Sequence, residues 1–178
     1  AVAALARARA IMTLCDNSYA SPLLQKPAAL GIDLVMHSVT KYLNGHSDVV
    51  AGVVCGPEPL IAQIFRGPYM TFGAIIGPFE AWLVLRGLRT LGVRMERIGR
   101  SAARIVDYLQ RHPKIARVYY PGSSGDPQRE LALRQMKGSS GLLSIEVRAT
   151  DLAGIERFCD SLKLFLMAVS WGGHESLI

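Results

Sequence analysis

The order of apolar and polar residues predicts an alternation of short buried strands and helices. Ala1–Ala10 has the composition of a helix end. Three short apolar runs follow, Ile11–Cys15, Asp33–His37 and Val49–Cys55, with the length and β-branched content of buried strands. Connecting segments, the first of them containing prolines, separate these runs. The alternation indicates an α/β fold with a mostly parallel sheet.

A long helix is predicted in the middle of the chain. From Val84 to Leu109 the apolar residues recur at alternating steps of four and three, which is one face of an α-helix. Gly87 and Gly92 interrupt this stretch and are positions at which the helix can bend. A short strand, Ile115–Tyr120, is predicted next.

Turn-forming residues mark a domain boundary after Tyr120. Pro121, Gly122 and Gly125 lie close together, and we therefore divide the chain into residues 1–121 and 122–178. The second part alternates predicted helices and strands at Gln128–Met136, Leu142–Val147, Leu152–Leu162 and Leu164–Val169. These elements are too few to close a second core. Since the first residue is not methionine either, we expect a chain truncated at both ends.

Composition excludes several classes of protein. With 50% hydrophobic residues, the chain can bury a core and is not expected to be disordered. Its apolar runs are far shorter than the roughly 20 residues that cross a bilayer, and no secretory signal is evident. Cys15, Cys55 and Cys159 are odd in number and far apart. We interpret them as small core residues of a cytoplasmic protein.

The positive charge allows a nucleic acid, an acidic partner or a phosphorylated ligand, since 20 lysines and arginines face 14 acidic residues. Six arginines lie along the long helix: Arg86, Arg89, Arg94, Arg97, Arg100 and Arg104. No aromatic series accompanies them, so we interpret this face as solvated or subunit-facing and expect no nucleic-acid partner. The four histidines are too scattered to predict a metal site.

One segment brings together residue types that have a joint chemical use. Asp16 follows a predicted strand, and Ser38, Thr40 and Lys41 follow the next one. A pyridoxal cofactor requires an amine, a carboxylate for its ring nitrogen and hydroxyls around its phosphate. Each residue alone also has an ordinary explanation, as a surface lysine, a turn former or a helix cap.

The sequence around these residues resembles the Cys/Met-metabolism family of pyridoxal-phosphate (PLP) enzymes. The similarity is carried by Asp16–Pro22, Gly31–Asp33, His37–Tyr42, Gly45–Asp48, Arg86–Leu91, His112–Pro113, Val118–Gly122 and Ser170–Gly173. It covers essentially the whole chain. The resemblance implies the fold-type-I PLP-dependent transferase fold, with residues 1–121 as the later part of the large domain and 122–178 as the beginning of the small C-terminal domain.

The resemblance also implies a role for individual residues. The family's Schiff-base lysine corresponds to Lys41, and the carboxylate that contacts the ring nitrogen corresponds to Asp16. The phosphate-binding hydroxyls correspond to Ser38 and Thr40, and the serine near the substrate carboxylate corresponds to Ser170.

The implied activity is carbon–sulfur bond cleavage: β-elimination of L-cystathionine to homocysteine, pyruvate and ammonia, a transsulfuration-type step of methionine biosynthesis in a homotetramer. Trp171 favours β-elimination, because many γ-acting relatives have an aliphatic residue there; a core tryptophan without a catalytic role is the alternative. The γ-synthase and γ-lyase activities also stay open. So does an inert fragment, since the family's phosphate loop, its ring-stacking tyrosine and its substrate-binding arginine have no counterpart in this chain.

Overall fold

A computed structural model describes residues 1–178, and the contacts within the chain divide it into two compact units, Ala1–Leu91 and Gly92–Ile178. The division falls at the start of a long helix, upstream of the turn at Pro121 and Gly122. The helix clusters with the second unit because its apolar face packs against the strand that follows it. The boundary between residues 1–121 and 122–178 stays a prediction about the domains.

The first unit alternates short helices and strands, as the sequence predicts. Its helices are α1 (Val2–Arg7), α2 (Ser21–Leu24), α3 (Glu58–Ile64), α4 (Met70–Phe72) and α5 (Pro78–Leu88), and its strands are β1 (Leu14–Asp16), β2 (Leu34–Ser38) and β3 (Gly52–Cys55). A 3₁₀ turn at Pro27–Leu30 and π-helical turns at Val39–Leu43 and Phe65–Tyr69 connect them. The helical stretch between β3 and α5 carries no periodic apolar signal in the sequence.

The three strands of the first unit form one sheet in the order β1-β2-β3. β1 pairs with β2 in parallel, with Asp16 opposite Met36, whereas β2 pairs with β3 antiparallel, with Ser38 opposite Gly52. The first pair has the parallel pairing that the sequence predicts, and β3 is an antiparallel strand of the same sheet. The thirteen residues that join β2 and β3 contain only the π-helical turn Val39–Leu43 and no α-helix, so no helical crossover brings β3 back parallel to β2.

A reciprocal clamp fixes the start of the parallel pair. Thr13 donates to Asp33 Oδ2 from its backbone N at 2.8 Å and from its hydroxyl at 2.7 Å, and the Asp33 backbone N donates to Thr13 Oγ1 at 2.9 Å. The hydroxyl of Thr13 and then its backbone N–H hold the pKa of Asp33 below its usual range. The strands are thus joined by a charge-assisted contact just before their ladder begins.

This clamp predicts a loss of stability in acid. Because the pKa of Asp33 is lower in the folded chain than the value of about 3.9 for an unfolded chain, its contribution is complete above about pH 4 and disappears as the pH falls through the folded pKa. Urea unfolding between about pH 2 and pH 6 measures how the free energy of unfolding changes with pH. Asp33→Asn and Thr13→Val should each weaken this dependence on pH. An unchanged dependence in both variants would show that the clamp contributes nothing to stability.

The long helix predicted from Val84 is two helices, α5 and α6 (Leu91–Gln110). Thr90 lies in the break, where its backbone N and its hydroxyl both donate to Gly87 O, at 3.1 and 3.0 Å. A threonine hydroxyl bound to a nearby carbonyl competes with the regular helical ladder. The helix is therefore interrupted at Arg89–Thr90, although the apolar periodicity of the sequence continues across these two residues.

The second unit contains α6, β4 (Ile115–Tyr119), α7 (Arg129–Gln135), β5 (Ser144–Val147) and α8 (Leu152–Asp160). β4 and β5 pair antiparallel, with an irregularity between Ile115 and Arg117. The core of this unit consists of Ala102, Val106, Ile115, Val118 and Tyr120. The Tyr120 hydroxyl donates to Ser140 O at 2.8 Å, so its buried polar atom is paired.

Two further expectations are corrected by the structure. The strand predicted at Leu164–Val169 is reduced to a single parallel bridge between Leu166 and Leu177, because its backbone bonds only to Ser176 and Ile178. None of the cysteines is a core residue: Cys55 is exposed on β3, and Cys15 and Cys159 are half-buried. All three are free thiols.

The outer face of α6 is charged and solvated. Arg97, Arg100 and Arg104 are exposed, and Arg100 forms an ion pair with Glu96 at 3.4 Å. Such exposed pairs one helical turn apart contribute about 0.3–0.5 kcal/mol each. No helix in the structure combines the length and apolar character that crossing a membrane requires.

Candidate active site

The carboxyl end of β1 places Asp16 in a tight turn. Asp16 Oδ1 accepts hydrogen bonds from the backbone N of Ser18 at 2.9 Å and from the Ser18 hydroxyl at 2.6 Å. This is the local side-chain-to-backbone bond that ends a strand and begins a turn. The ladder with β2 continues one residue farther, since Asn17 N donates to Met36 O at 2.9 Å.

The surroundings of Asp16 keep its carboxylate ionised. The Ser18 hydroxyl, then the Ser18 backbone N–H, lower the pKa of Asp16, and nearby His37 lowers it further. Both hydrogen bonds end on Oδ1, so Oδ2 is available to a donor outside the chain. An anionic carboxylate with one open oxygen is the partner that a protonated ring nitrogen requires.

β2 ends beside this turn, at Ser38. The Ser38 backbone N donates to the Ser18 hydroxyl oxygen at 2.5 Å, which ties the end of β2 to the turn after β1. The Ser38 side chain is half-buried, and its hydroxyl makes no hydrogen bond within the chain. Ser38 can therefore donate to a phosphate oxygen without breaking an existing bond.

Lys41 lies in a π-helical turn directly after β2. Asn44 N donates to Val39 O at 2.9 Å and Gly45 N donates to Lys41 O at 2.8 Å. Within this turn Lys41 has non-helical dihedral angles, φ −87° and ψ −129°. Single π-helical turns recur at functional sites. The turn holds the half-buried Lys41 side chain at the same sheet edge as Asp16 and Ser38.

The Thr40 hydroxyl is hydrogen-bonded to the backbone of Ala51, whereas its proposed phosphate contact requires it to donate to a phosphate oxygen. Its hydroxyl donates to Ala51 O at 3.2 Å and accepts from Ala51 N at 3.0 Å, and its backbone N also donates to Ala51 O. A hydroxyl has one proton, so donation to a phosphate would replace the bond to Ala51 O. In this structure Thr40 joins the π-helical turn Val39–Leu43, called the lysine turn below, to the chain that enters β3. Its phosphate contact stays a prediction.

The lysine turn rests on a buried asparagine and on a helical glycine. Asn44 is fully buried and donates from Nδ2 to Asp48 Oδ1 at 2.7 Å, and its backbone O is 2.6 Å from His46 Nδ1. Gly87 of α5 packs against the Asn44 backbone so closely that an added Cβ would lie 2.4 Å from Asn44 O. Helix α5 thus touches the turn that holds Lys41, and only glycine fits there.

Ser170 and Trp171 belong to the second unit, in the segment between Leu166 and Leu177. Ser170 is exposed and has φ +136°, a conformation that costs a residue with a side chain about 1–3 kcal/mol. Trp171 is half-buried and Ser170 and Trp171 both take part in interactions within the chain. Their roles in substrate binding stay predictions.

Ser18 and His37 were not predicted as site residues from the sequence. Ser18 follows Asp16 by two positions, the spacing of an Asx turn, and this signal could have identified it. His37 lies in β2, where it is buried. Burial lowers the pKa of His37, although Asp16 and a bond to the Asn17 backbone oppose this.

The residues present fit a pyridoxal cofactor. Asp16 offers an ionised carboxylate with an open oxygen, Ser38 an unused hydroxyl, and Lys41 an amine on the adjoining turn. A metal would require a different arrangement, and no group of three or more histidine, cysteine, aspartate or glutamate side chains in the chain is placed to hold one. Lys41, Asp16 and Ser38 are the residues that would hold PLP.

Comparison with known proteins points to the same chemistry. A model of the family described as Cys/Met metabolism PLP-dependent enzyme matches residues 1–178. The chain is 43% identical over 178 residues to a cystathionine beta-lyase of Coxiella burnetii, covering 99% of this chain and 46% of the relative. An L-methionine gamma-lyase of Fusobacterium nucleatum subsp. nucleatum is 46% identical over 168 residues, covering 94% and 42%.

A solved structure agrees in fold. The crystal structure of cystathionine gamma-lyase from Lactobacillus plantarum complexed with L-serine superimposes with a TM-score of 0.91 at 38% identity, covering 99% of this chain and 46% of that one. The chain therefore spans about half the length of the relatives it matches. Its fold is that of fold-type-I PLP enzymes. The chain belongs to the Cys/Met-metabolism family of PLP-dependent enzymes.

Proposed function

We propose that this chain provides the PLP-binding centre of a carbon–sulfur lyase that cleaves L-cystathionine to homocysteine, pyruvate and ammonia. The observation that carries the proposal is the meeting of Asp16 and Ser38 at one sheet edge, through the Ser18 hydroxyl, with Lys41 on the turn that follows. Similarity to a cystathionine beta-lyase supports the choice of reaction.

Each residue has a defined task in this proposal. Bound PLP supplies the electron sink that stabilises negative charge at the substrate Cα. Asp16 keeps the proton on the ring nitrogen, because its carboxylate is held in the ionised form by Ser18. Lys41 Nζ takes the proton from Cα and delivers a proton to the departing sulfur as general base and acid. Ser38 and Thr40 hold the phosphate, and Ser170 binds the substrate carboxylate.

The choice between β- and γ-cleavage is assigned to the segment Ser170–Trp171. Trp171 follows the proposed substrate serine directly, and it favours β-elimination because many γ-acting relatives have an aliphatic residue at this position. The similarity to an L-methionine gamma-lyase makes γ-elimination the competing outcome. The two reactions release different keto acids from cystathionine, so they can be separated directly.

The test is product analysis on a chimera in which this chain replaces the matched residues of the Coxiella burnetii enzyme. We expect pyruvate from L-cystathionine, and we expect Lys41→Ala to reduce turnover by at least about a hundredfold, the lower range for losing a general acid–base group. Trp171→Leu should increase the share of 2-oxobutyrate. Release of 2-oxobutyrate by the unsubstituted chimera would replace β-elimination with γ-elimination, and turnover without Lys41 would contradict the proposal.

A further inference from the structure

Ser18 is the residue through which the two strand ends of the site are joined. It is buried, with 7% of its surface exposed. Its hydroxyl donates to Asp16 Oδ1 at 2.6 Å and accepts from the backbone N of Ser38 at 2.5 Å. Its own backbone N donates to the same Asp16 oxygen at 2.9 Å. One side chain therefore contacts both the candidate ring-nitrogen carboxylate and the strand end that carries a candidate phosphate ligand.

Only a hydroxyl can perform both tasks at this position. It must donate to a carboxylate and accept from an N–H at the same time, and serine and threonine are the small side chains that do so. Without it, Asp16 Oδ1 would keep only the backbone bond, and the N–H of Ser38 would lose its acceptor. Hydrogen bonds to charged groups are about twice as strong as neutral ones, so the bond to Asp16 is the larger of the two losses.

We propose that Ser18 is a positioning residue for the cofactor, an inference that rests on the proposed function. By holding Asp16 Oδ1 and the Ser38 backbone in one hydrogen-bonded unit, Ser18 fixes the carboxylate so that Oδ2 is reserved for the ring nitrogen of PLP. It also sets the distance between the end of β1 and the end of β2, where ring and phosphate would be held.

The other titratable groups near Asp16 do not replace Ser18. His37, on the adjacent strand, is buried with no hydrogen-bond partner at Nδ1, and burial lowers its pKa, which favours the neutral ring. Cys15, the preceding residue on β1, has its pKa raised by burial and by Asp16 itself, which favours the uncharged thiol. The low pKa of Asp16 therefore depends first on the hydroxyl of Ser18 and then on the Ser18 backbone N–H, and His37 has a smaller effect.

The first test measures the pKa of Asp16 in the PLP-free chain by carbon-13 NMR of its carboxyl group. We expect a value below the ordinary range, a rise toward that range in Ser18→Ala, and a low value again in Ser18→Thr. Ser38→Ala is the matched control, because Ser38 contributes only its backbone N–H. Asp33 is an internal reference, since its partner is Thr13, and its pKa should be the same in every variant.

A second test measures PLP affinity by equilibrium dialysis. We expect Ser18→Ala to bind PLP roughly tenfold more weakly, as for the loss of one hydrogen bond to a charged group, and Ser18→Thr to bind as the unsubstituted chain does. If Ser18→Ala does not fold, an ordinary Asp16 pKa in the unsubstituted chain, or a raised one in Ser18→Thr, still overturns the proposal. No binding of PLP by the unsubstituted chain would overturn the proposed function and this role with it, whereas binding that is unaffected by Ser18→Ala would overturn the role alone.

Discussion

Replacing Gly87 with alanine is expected to destabilise the first unit by roughly 3 kcal/mol or more, the upper range for forcing an extra methyl into a packed site. An alanine Cβ would lie 2.4 Å from Asn44 O and 3.0 Å from Asn44 Cα. These are backbone atoms, which cannot turn away as a flexible side chain would. Because Gly87 lies inside α5, helix propensity alone would favour alanine by about 1 kcal/mol. Because of the clash, we expect alanine to destabilise the unit although its helix propensity is higher.

Gly67→Ala is the matched control, because an added Cβ there meets no atom within 4 Å and the residue lies in a helical turn of the same unit. Urea unfolding followed by the fluorescence of Trp82, which lies on α5, reports on the first unit once Trp171 is replaced by phenylalanine. We expect an unchanged or slightly higher midpoint for Gly67→Ala and a much lower one for Gly87→Ala. Equal midpoints would show that α5 does not pack on the lysine turn as described.

Replacing Lys41 with alanine is expected to abolish the covalent attachment of PLP. Among the residues of the site, only Lys41 carries an amine, and its unusual backbone angles place it in a turn held by Thr40, Asn44 and Gly45. Borohydride reduction followed by measurement of the bound pyridoxal absorbance quantifies the attachment. Lys26→Ala removes an exposed lysine of the same unit and should retain full labelling. Equal labelling of the two variants would mean that the attachment is not specific.

Most of the strands and helices could be predicted from the sequence. The errors lie where hydrogen bonds to other parts of the chain determine where an element begins or ends. The apolar run Val49–Cys55 was predicted as a strand throughout, but only Gly52–Cys55 pairs with β2. Ala51, just before it, is bound to Thr40 instead. Likewise, the apolar periodicity from Val84 to Leu109 shows which face is buried, but it contains no sign that Thr90 would bind the Gly87 carbonyl and divide the helix.

Individual residues of the candidate site could be predicted only where the sequence resembles the motifs of the family. That resemblance predicts Asp16, Ser38 and Lys41 as cofactor ligands, and in the structure they lie at and just after the ends of two neighbouring strands. It could not reveal Ser18 as the bridge, because the bridge is a tertiary contact between two strand ends that are far apart in the sequence. Nor could it show that Gly87, nearly fifty residues downstream, packs on the lysine turn.

The most direct test of this account is to locate the site of PLP attachment in the unsubstituted chain. The purified protein is incubated with PLP, reduced with borohydride and digested, and the modified peptides are identified by mass spectrometry. The account predicts one modified residue, Lys41, at a PLP concentration at which surface lysines stay unmodified. Labelling spread over several lysines, or no labelling, would contradict the claim that Asp16, Ser38 and Lys41 form a cofactor site in this chain.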